Sequence, residues 1–267
     1  MQSKIAFAES DPDDQRIAAA IERYQEHGVL WIEDLFSRDY IREIAEYYHE
    51  KYTCLSKSQL ESRYAKVGDR RYMISVNVKG PLNCPALYAN HRLMPILQNL
   101  LGPQCVISSF GSVIAFPGAA AQNVHFDYPP LFECEETCVS LPPHAITLVV
   151  PLIDLTAETG STAVWFGSHR RLGARDELQR LAQSGSLDGS VCQKPKMGDA
   201  FLMDFRMIHA GTPNIGDQAR PILYIVYSRP WFREDLNFTE QPPIAITKKQ
   251  LRKVPKKWRH VFAFSRT

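Results

Sequence analysis

No stretch of this 267-residue chain approaches the roughly 18 apolar residues that a membrane span requires, which sets aside a helical membrane protein. An excess of charge of one sign is missing too. The 31 Lys and Arg stand against 29 Asp and Glu, a formal net charge of +2, too even for a dedicated nucleic-acid binder. Cysteine is scarce and scattered, at Cys54, Cys84, Cys105, Cys134, Cys138 and Cys192, with no disulfide framework in its spacing. Reduced thiols in a cytoplasmic protein are therefore expected. Met1 to Asp14 lacks the apolar core of a secretory leader, and Ser265-Arg266-Thr267 is no peroxisomal tripeptide. Internal repeats and low-complexity linkers are also lacking, so a single domain over 1–267 is expected, close to the upper size for one hydrophobic core.

What is present reads as helices first and strands afterwards. Asp11 as cap and Pro12 at the first helical position open a helix that runs to His27, where Gly28 stops it. Val29 to Ile32 reads as a short strand, and Ser37 caps a helix with Ile41, Ile44, Ala45 and Tyr48 on one face. Further helices are expected over Asn90 to Leu101, regular only from about Leu93, and over Ala174 to Gln183. Strands are expected over Tyr72 to Val78, Cys105 to Phe116, Ala145 to Val150, Ala200 to Phe205 and Pro221 to Tyr227. Helices and strands do not alternate one for one, so a doubly wound parallel sheet is disfavoured. The pattern predicts an α+β chain: a helical part at about 11–60, a β-sandwich or barrel core at about 70–232, and a basic tail at 233–267.

Chemistry concentrates in three places. In His125-Phe126-Asp127 the outer side chains lie two apart, so on an extended strand they share a face about 7 Å apart along the chain. Such a triplet arises by chance about 0.4 times in a chain of this composition, so it needs a partner. The run Gly198 to Gly211 supplies one, a strand that delivers His209 into a Gly/Pro/Asn-rich turn. Two His and one carboxylate on one side of a metal leave the other positions open, the arrangement of non-haem Fe(II) oxygenases. Eleven residues after His209, Arg220 opens an apolar strand. A guanidinium there needs an anion, and the distal carboxylate of 2-oxoglutarate answers that need.

Together with Pro151 to Thr156, Thr159 to Thr162 and Gly167-Ser168-His169-Arg170, these residues resemble the phytanoyl-CoA dioxygenase family from about Gly28 to about Phe232. The resemblance implies a double-stranded β-helix core (jelly-roll, cupin-like) flanked by N-terminal helices. It implies Fe(II), 2-oxoglutarate as cosubstrate, O2, and hydroxylation of a small molecule with release of succinate and CO2. It also implies that Gln122 and Thr162 touch the 2-oxoglutarate. Where some members carry a serine two residues after the distal His, this chain has Gly211, so a hydroxyl contact there is missing or comes from Thr212. An aspartate at 127 argues against halogenation, which needs the carboxylate's coordination position.

His169 is the rival third ligand, although its Gly-Ser-His-Arg turn predicts a histidine that ties the turn together. His144 reads as a loop residue. The stretch Tyr128 to His144, following the metal-binding segment directly, reads as a long loop able to cover the substrate. Tyr128 and Phe132 within it, with Tyr72, Tyr224 and Trp231, are the candidate substrate residues. The basic tail, with Leu251, Val254, Trp258, Val261 and Phe262 interleaved, predicts a docked amphipathic segment with a solvated cationic face. Two other functions use the same residues. A zinc hydrolase would employ His125, Asp127 and His209 but leave Arg220 idle, and a jelly-roll binding module would need no turnover at all.

Overall fold

Helix α1, Asp14–His27, begins where the Asp13 side chain accepts from the Arg16 N–H, and ends at Gly28, whose N–H donates to the Tyr24 carbonyl. The expected cap Asp11 and Pro12 lie outside the residues this computed structural model describes, which are 4–6, 13–234, 236–238 and 241–265. Gly28 is required twice over. Its φ is +76°, and a Cβ there would stand 2.3 Å from the Met207 sulfur and 2.5 Å from His169 Nδ1. Helices α2 (Arg38–Tyr48, capped by Ser37), α3 (Lys57–Glu61), α4 (Pro85–Tyr88) and α5 (Met94–Leu101) follow. Ile41, Ile44 and Tyr48 of α2 and Ile96, Leu97 and Leu100 of α5 turn into the core, as their spacing dictates.

The strands are β1 (Lys4–Ala6), β2 (Val29–Glu33), β3 (Ala65–Gly68), β4 (Arg71–Ile74), β5 (Val106–Ala115), β6 (Ala145–Pro151), β7 (Thr162–Val164), β8 (Val191–Cys192), β9 (Ala200–Asp204), β10 (His209–Gly211) and β11 (Arg220–Ser228). The larger sheet has the order β1-β2-β9-β6-β11-β5-β4-β3, and the smaller β10-β7-β8. β1 and β2 are parallel; the other described pairs are antiparallel.

Strand parity divides the core. Leu30, Ile32, Ile146, Leu148, Val150, Leu202, Leu223 and Ile225 face the helices. Val29, Trp31, Val149, Phe201 and Met203 face the other way and pack with Val164 of the smaller sheet. The larger sheet is thus covered on both sides, which is why its strands read as apolar runs rather than strict alternations.

Two expected strands are cut short by tertiary partners. The one predicted over 72–78 stops at Ile74. Beyond it the Ser75 N–H donates to Gln241 Oε1 and the Val78 N–H to the Ala245 carbonyl, so the C-terminal segment takes the place of β5. His125 to Asp127 makes only a single antiparallel bridge, between His125 and His209, before the chain bends at Asp127. Pro129 and Pro130, which have no N–H to donate, follow at once.

The stretch 128–144 is not a bare loop. It holds helix α6, Glu135–Ser140, and is pinned from outside. The Glu135 carboxylate accepts from the Gly173 and Arg175 N–H groups, and Arg206 donates to the Cys138 and Leu141 carbonyls. Helix α7 (Ala174–Ser184) follows as expected. In the tail, α8 (Lys248–Leu251) and a 3-10 turn over Lys256–Phe262 dock through buried Val254, Val261 and Phe262, leaving Lys248 and Lys249 outside. The six cysteines are free thiols. No helix among the described residues is long and apolar enough to cross a membrane.

Candidate active site

Register across the larger sheet lays out the floor of a cavity of about 630 Å³ between the two sheets. One cross-strand row is Arg71, Ala115 and Arg220, and the next is Met73, Val113 and Ile222. Then come Gly111, Tyr224 and Val149, and finally Ser109, Val226, Thr147 and Met203. The parity that Arg220 imposes on Ile222, Tyr224 and Val226 therefore holds. The register shift after Val226 is one extra residue, Ser108, on β5, while pairing with β6 continues unbroken to Ser228 and Ala145; Ser228 is fully buried with its hydroxyl on the Phe232 carbonyl.

On one wall, His125 and His209 exchange both backbone hydrogen bonds at 3.0 Å, and their ring centroids lie 4.2 Å apart. Each imidazole donates its Nδ1–H to the carbonyl two residues earlier, His125 to Asn123 at 2.7 Å and His209 to Met207 at 3.1 Å. That fixes the tautomer and leaves each Nε2 as the available donor atom. Asp127 Oδ1 stands 3.3 Å from His209 Nε2, while Oδ2 accepts from the Thr147 hydroxyl at 3.1 Å. Asn237 donates to the Asp127 carbonyl, so both ends of this residue are held. One ligand atom from each of His125, Asp127 and His209 lies within 4.8 Å of the others, and among the described residues they form the group able to hold a metal ion.

The electrostatics of the three differ. Burial, and then the neighbouring His209, push the His125 imidazole down to about 4. Burial would lower His209 as well, but the Asp127 carboxylate against its Nε2 outweighs it and holds His209 above the ordinary range. Burial would raise Asp127, and the facing His209 instead holds it below the usual carboxylate value. The Asp127 carboxylate thus favours a proton on the facing His209 imidazole, 3.3 Å away. A divalent cation bound there would substitute for that proton.

At the other end of the cavity Arg220 lines the wall, and a second buried guanidinium, Arg71, lies behind it against Gly211. Arg220 donates from Nη1 to the Ser161 and Thr212 carbonyls at 3.0 and 3.4 Å. Arg71 donates from Nη2 to the Ala120 and Thr212 carbonyls at 2.9 and 3.1 Å. Arg71 Nε, Arg71 Nη1 and Arg220 Nε are buried with no hydrogen-bond partner, and among the described residues no carboxylate pairs with either side chain. Burial, and then Arg220, push Arg71 down to about 9, and burial pushes Arg220 down to about 10. Two buried cations so close to one another are a pair that an anion could stabilise.

Gln122 and Thr162 belong to this end. Gln122 Oε1 accepts from the Gly211 N–H at 3.1 Å, and Thr162 is the register partner of Gly211. A Cβ on residue 211 would stand 2.4 Å from Gln122 Oε1 and 2.7 Å from Arg71 Nη1. The space a serine would need is therefore filled by those two side chains. Thr212 supplies no replacement hydroxyl, since its Oγ1 is engaged with the Ser161 backbone at both N–H and carbonyl.

Arg71 escaped the sequence reading. Its only cue was its place just before an expected strand, where a solvated arginine looks the same. His169 stands apart from the metal group and binds the Gln25 carbonyl through Nε2, which ties its turn to α1. His144 is the loop residue expected, in a bend just before β6, but a buried one. It is 3% exposed, packed on Phe205 and Phe232, with neither ring nitrogen partnered.

Of the five candidate substrate residues, Tyr224 lines the cavity. Tyr128 lies beside it, its ring on Phe205 and Phe232. Tyr72 packs into the main core with its hydroxyl toward Glu61, away from the cavity lining. Phe132 and Trp231 are 50% and 63% exposed and also stand outside it. Glu234 and Asn237, both in the lining, were not singled out from the sequence, because the segment carrying them has no regular structure to predict.

Comparison with known proteins adds to this geometry. The family model for phytanoyl-CoA dioxygenase (PhyH) matches residues 24–222. Dioxygenase af480 of Aspergillus fumigatus is 27% identical over 158 residues, which is 59% of this chain and 48% of that protein, so the match spans about half the length of this relative. Among solved structures, HygX from Streptomyces hygroscopicus, with nickel and 2-oxoglutarate bound, superposes at TM-score 0.61 with 14% identity, covering 84% of this chain and 94% of the other. The non-heme alpha-ketoglutarate-dependent epimerase SnoN from nogalamycin biosynthesis does so at TM-score 0.61 with 17% identity, covering 87% and 94%. At such identities these structures speak for the shared fold.

Proposed function

The chain belongs to the phytanoyl-CoA dioxygenase family, and on that premise we propose that it is an Fe(II)- and 2-oxoglutarate-dependent dioxygenase acting on a small molecule. In this proposal the outcome is hydroxylation, with succinate and CO2 released, and the two facing sheets are the family's double-stranded β-helix. The observation that carries it is the pairing of two features at one cavity: a His/Asp/His donor set, and the Arg220 guanidinium backed by Arg71, both buried and neither paired with a carboxylate among the described residues.

His125, Asp127 and His209 would hold the Fe(II), a donor set of two neutral imidazoles and one carboxylate that suits a divalent first-row metal and leaves further positions open. Fe(II), with 2-oxoglutarate and O2, supplies the oxidising power to replace an unactivated C–H bond by C–OH. The chain's own residues do the rest. The Asn123 and Met207 carbonyls keep the two Nε2 atoms turned to the metal position, and Thr147 and Asn237 fix the Asp127 carboxylate and backbone. Arg220 and Arg71 would take the distal carboxylate of 2-oxoglutarate, with Gln122 and Thr162 alongside, which sets the cosubstrate's orientation toward the metal. Both arginines are held by backbone carbonyls, so the anion meets a preorganised pair.

Anaerobic addition of Fe(II) and 2-oxoglutarate tests this directly. The expected result is a visible metal-to-ligand charge-transfer band that needs both components, followed by succinate formation on admitting O2 with a competent substrate. If no band forms at saturating concentrations, or if the protein binds zinc and hydrolyses esters instead, the proposal fails.

A further inference from the structure

Beyond the metal group and the cosubstrate end, the cavity floor carries two hydroxyls that neither role uses. Tyr224 on β11 is the register partner of Gly111 on β5, and Ser109 follows on the same face in the next cross-strand row. Both residues line the cavity. Gly111 gives the phenol its place there, because a Cβ at 111 would stand 2.4 Å from the Tyr224 hydroxyl oxygen. Tyr224 is 9% and Ser109 0% exposed, and neither hydroxyl has a hydrogen-bond partner, in the protein at large or in the other. Burial above all holds Tyr224 well above the ordinary tyrosine value, so it remains an O–H donor. Around the two hydroxyls the wall is apolar, built from Phe126, Phe205, Phe238, Val149, Ile222 and Val226. The buried charges among the described lining residues are already committed. Arg220 belongs to the cosubstrate end, and His125, Asp127 and His209 form the metal group. The Glu234 carboxylate is engaged, with Asn237 donating to its Oε1, and Asp69 is exposed on the turn between β3 and β4.

We propose that the Tyr224 and Ser109 hydroxyls form the recognition site for a neutral carbonyl or hydroxyl oxygen, so that the substrate is an uncharged small molecule with an apolar body. The inference rests on the dioxygenase reading for the word substrate, whereas the site itself is a matter of binding. Hydroxyls withdrawn from water and left unpaired are costly, and a bound oxygen that accepts from them removes that cost. One carbonyl oxygen has two lone pairs, enough for both donors. A charged substrate, by contrast, would give up its hydration with no uncommitted counter-charge in the buried part of the described lining. The rest of the carbon skeleton would lie on the Phe and aliphatic wall, as in ligand pockets that are mostly apolar with a few placed polar groups to fix orientation. Tyr224 stands four residues along β11 from Arg220, about 13 Å at the rise of a strand, which keeps this spot clear of the cosubstrate carboxylate.

Four probes on one bicyclic skeleton test the assignment: 2-indanone, indane, 2-indanylammonium and indane-2-carboxylate, titrated calorimetrically into protein loaded anaerobically with Fe(II) and 2-oxoglutarate. The ketone is expected to bind about tenfold tighter than the hydrocarbon, the return on two neutral hydrogen bonds, and both charged probes more weakly than the ketone. Tyr224→Phe should cut the preference of ketone over hydrocarbon to about threefold or less while leaving the affinity for indane in place. Ser109→Ala should do the same, and it supplies a second variant if the first does not fold. The assignment is overturned if 2-indanone does not bind, if indane or either charged probe binds as tightly as the ketone, or if the tenfold preference survives in both variants. The charge-transfer band, recorded on the same samples, separates the two proposals. A band without preference for the ketone sinks only the hydroxyl site, and absence of the band sinks the dioxygenase reading.

Discussion

Arg220 shows how much a single side chain can reveal before any fold is known. An arginine opening an apolar strand has to be neutralised, and the structure buries it at 2% exposure with two backbone carbonyls and, among the described residues, no carboxylate. Removing it takes away a charge-assisted pair worth about 1.5–3 kcal/mol. Arg220→Ala should therefore raise the 2-oxoglutarate concentration for half-maximal succinate formation by about one to two orders of magnitude; an unchanged value would show that the anion sits elsewhere. Gly211 tests the same pocket from the opposite side. Gly211→Ser puts a Cβ 2.4 Å from Gln122 Oε1 and 2.7 Å from Arg71 Nη1, so it should displace both side chains and weaken cosubstrate binding measured by the charge-transfer band, despite restoring a hydroxyl. Arg71 itself was illegible in the sequence. What sets it apart is the buried row it shares with Ala115 and Arg220, and strand pairing between residues over a hundred positions apart leaves no local mark.

Among the elements, those with end signals of their own were readable. Ser37 caps α2, Gly28 ends α1, and α7 begins at Ala174 as expected, because capping and left-handed glycines are set by a few adjacent residues. The strands β5, β6, β9 and β11 follow their apolar runs to within a residue or two. Elements failed where distant chain competes for the same hydrogen bonds. The strand over 72–78 loses its second half to the tail, and helix α6 stands where a loop was expected. The middle of β5 carries a further constraint. Gly111 has an ordinary strand conformation, yet a Cβ there would meet the Tyr224 hydroxyl at 2.4 Å and the Ile74 carbonyl at 2.7 Å. Gly111→Ala should cost about 1–3 kcal/mol by overpacking. A shift in the urea midpoint with an unchanged slope would show it, and an unaltered midpoint would mean that β4 and β5 are free to separate.

For the molecule as a whole, stability should depend on pH through histidines that folding buries neutral. His144 packs on Phe205 and Phe232, facing Asp204, Arg206 and Arg229, and burial pushes it down to about 4 from an ordinary 6.5. Its folded-state value is the lower one, so the unfolded chain binds the extra proton. Its contribution is complete above pH 6.5 and is lost as pH falls toward 4, a change of about 3 kcal/mol. His125 titrates in the same window, so the informative quantity is the difference from His144→Leu, which should flatten the fall in melting temperature between pH 6.5 and 4. A slope equal to that of the parent protein would mean that His144 is hydrated.

The amino-acid sequence by itself determined the family and singled out the candidate site: His125, Asp127, His209 and Arg220 lie in short stretches whose spacing is a property of the chain. It determined most helices and strands as well, since capping and apolar periodicity act over a few residues. Tertiary structure alone decided that Arg71 joins Arg220, that Gly211 yields its space to Gln122, and that Glu234 and Tyr224 face the same cavity as the metal group. The physical reason is that burial of charge is a property of surroundings, and those surroundings are assembled from strands far apart along the chain.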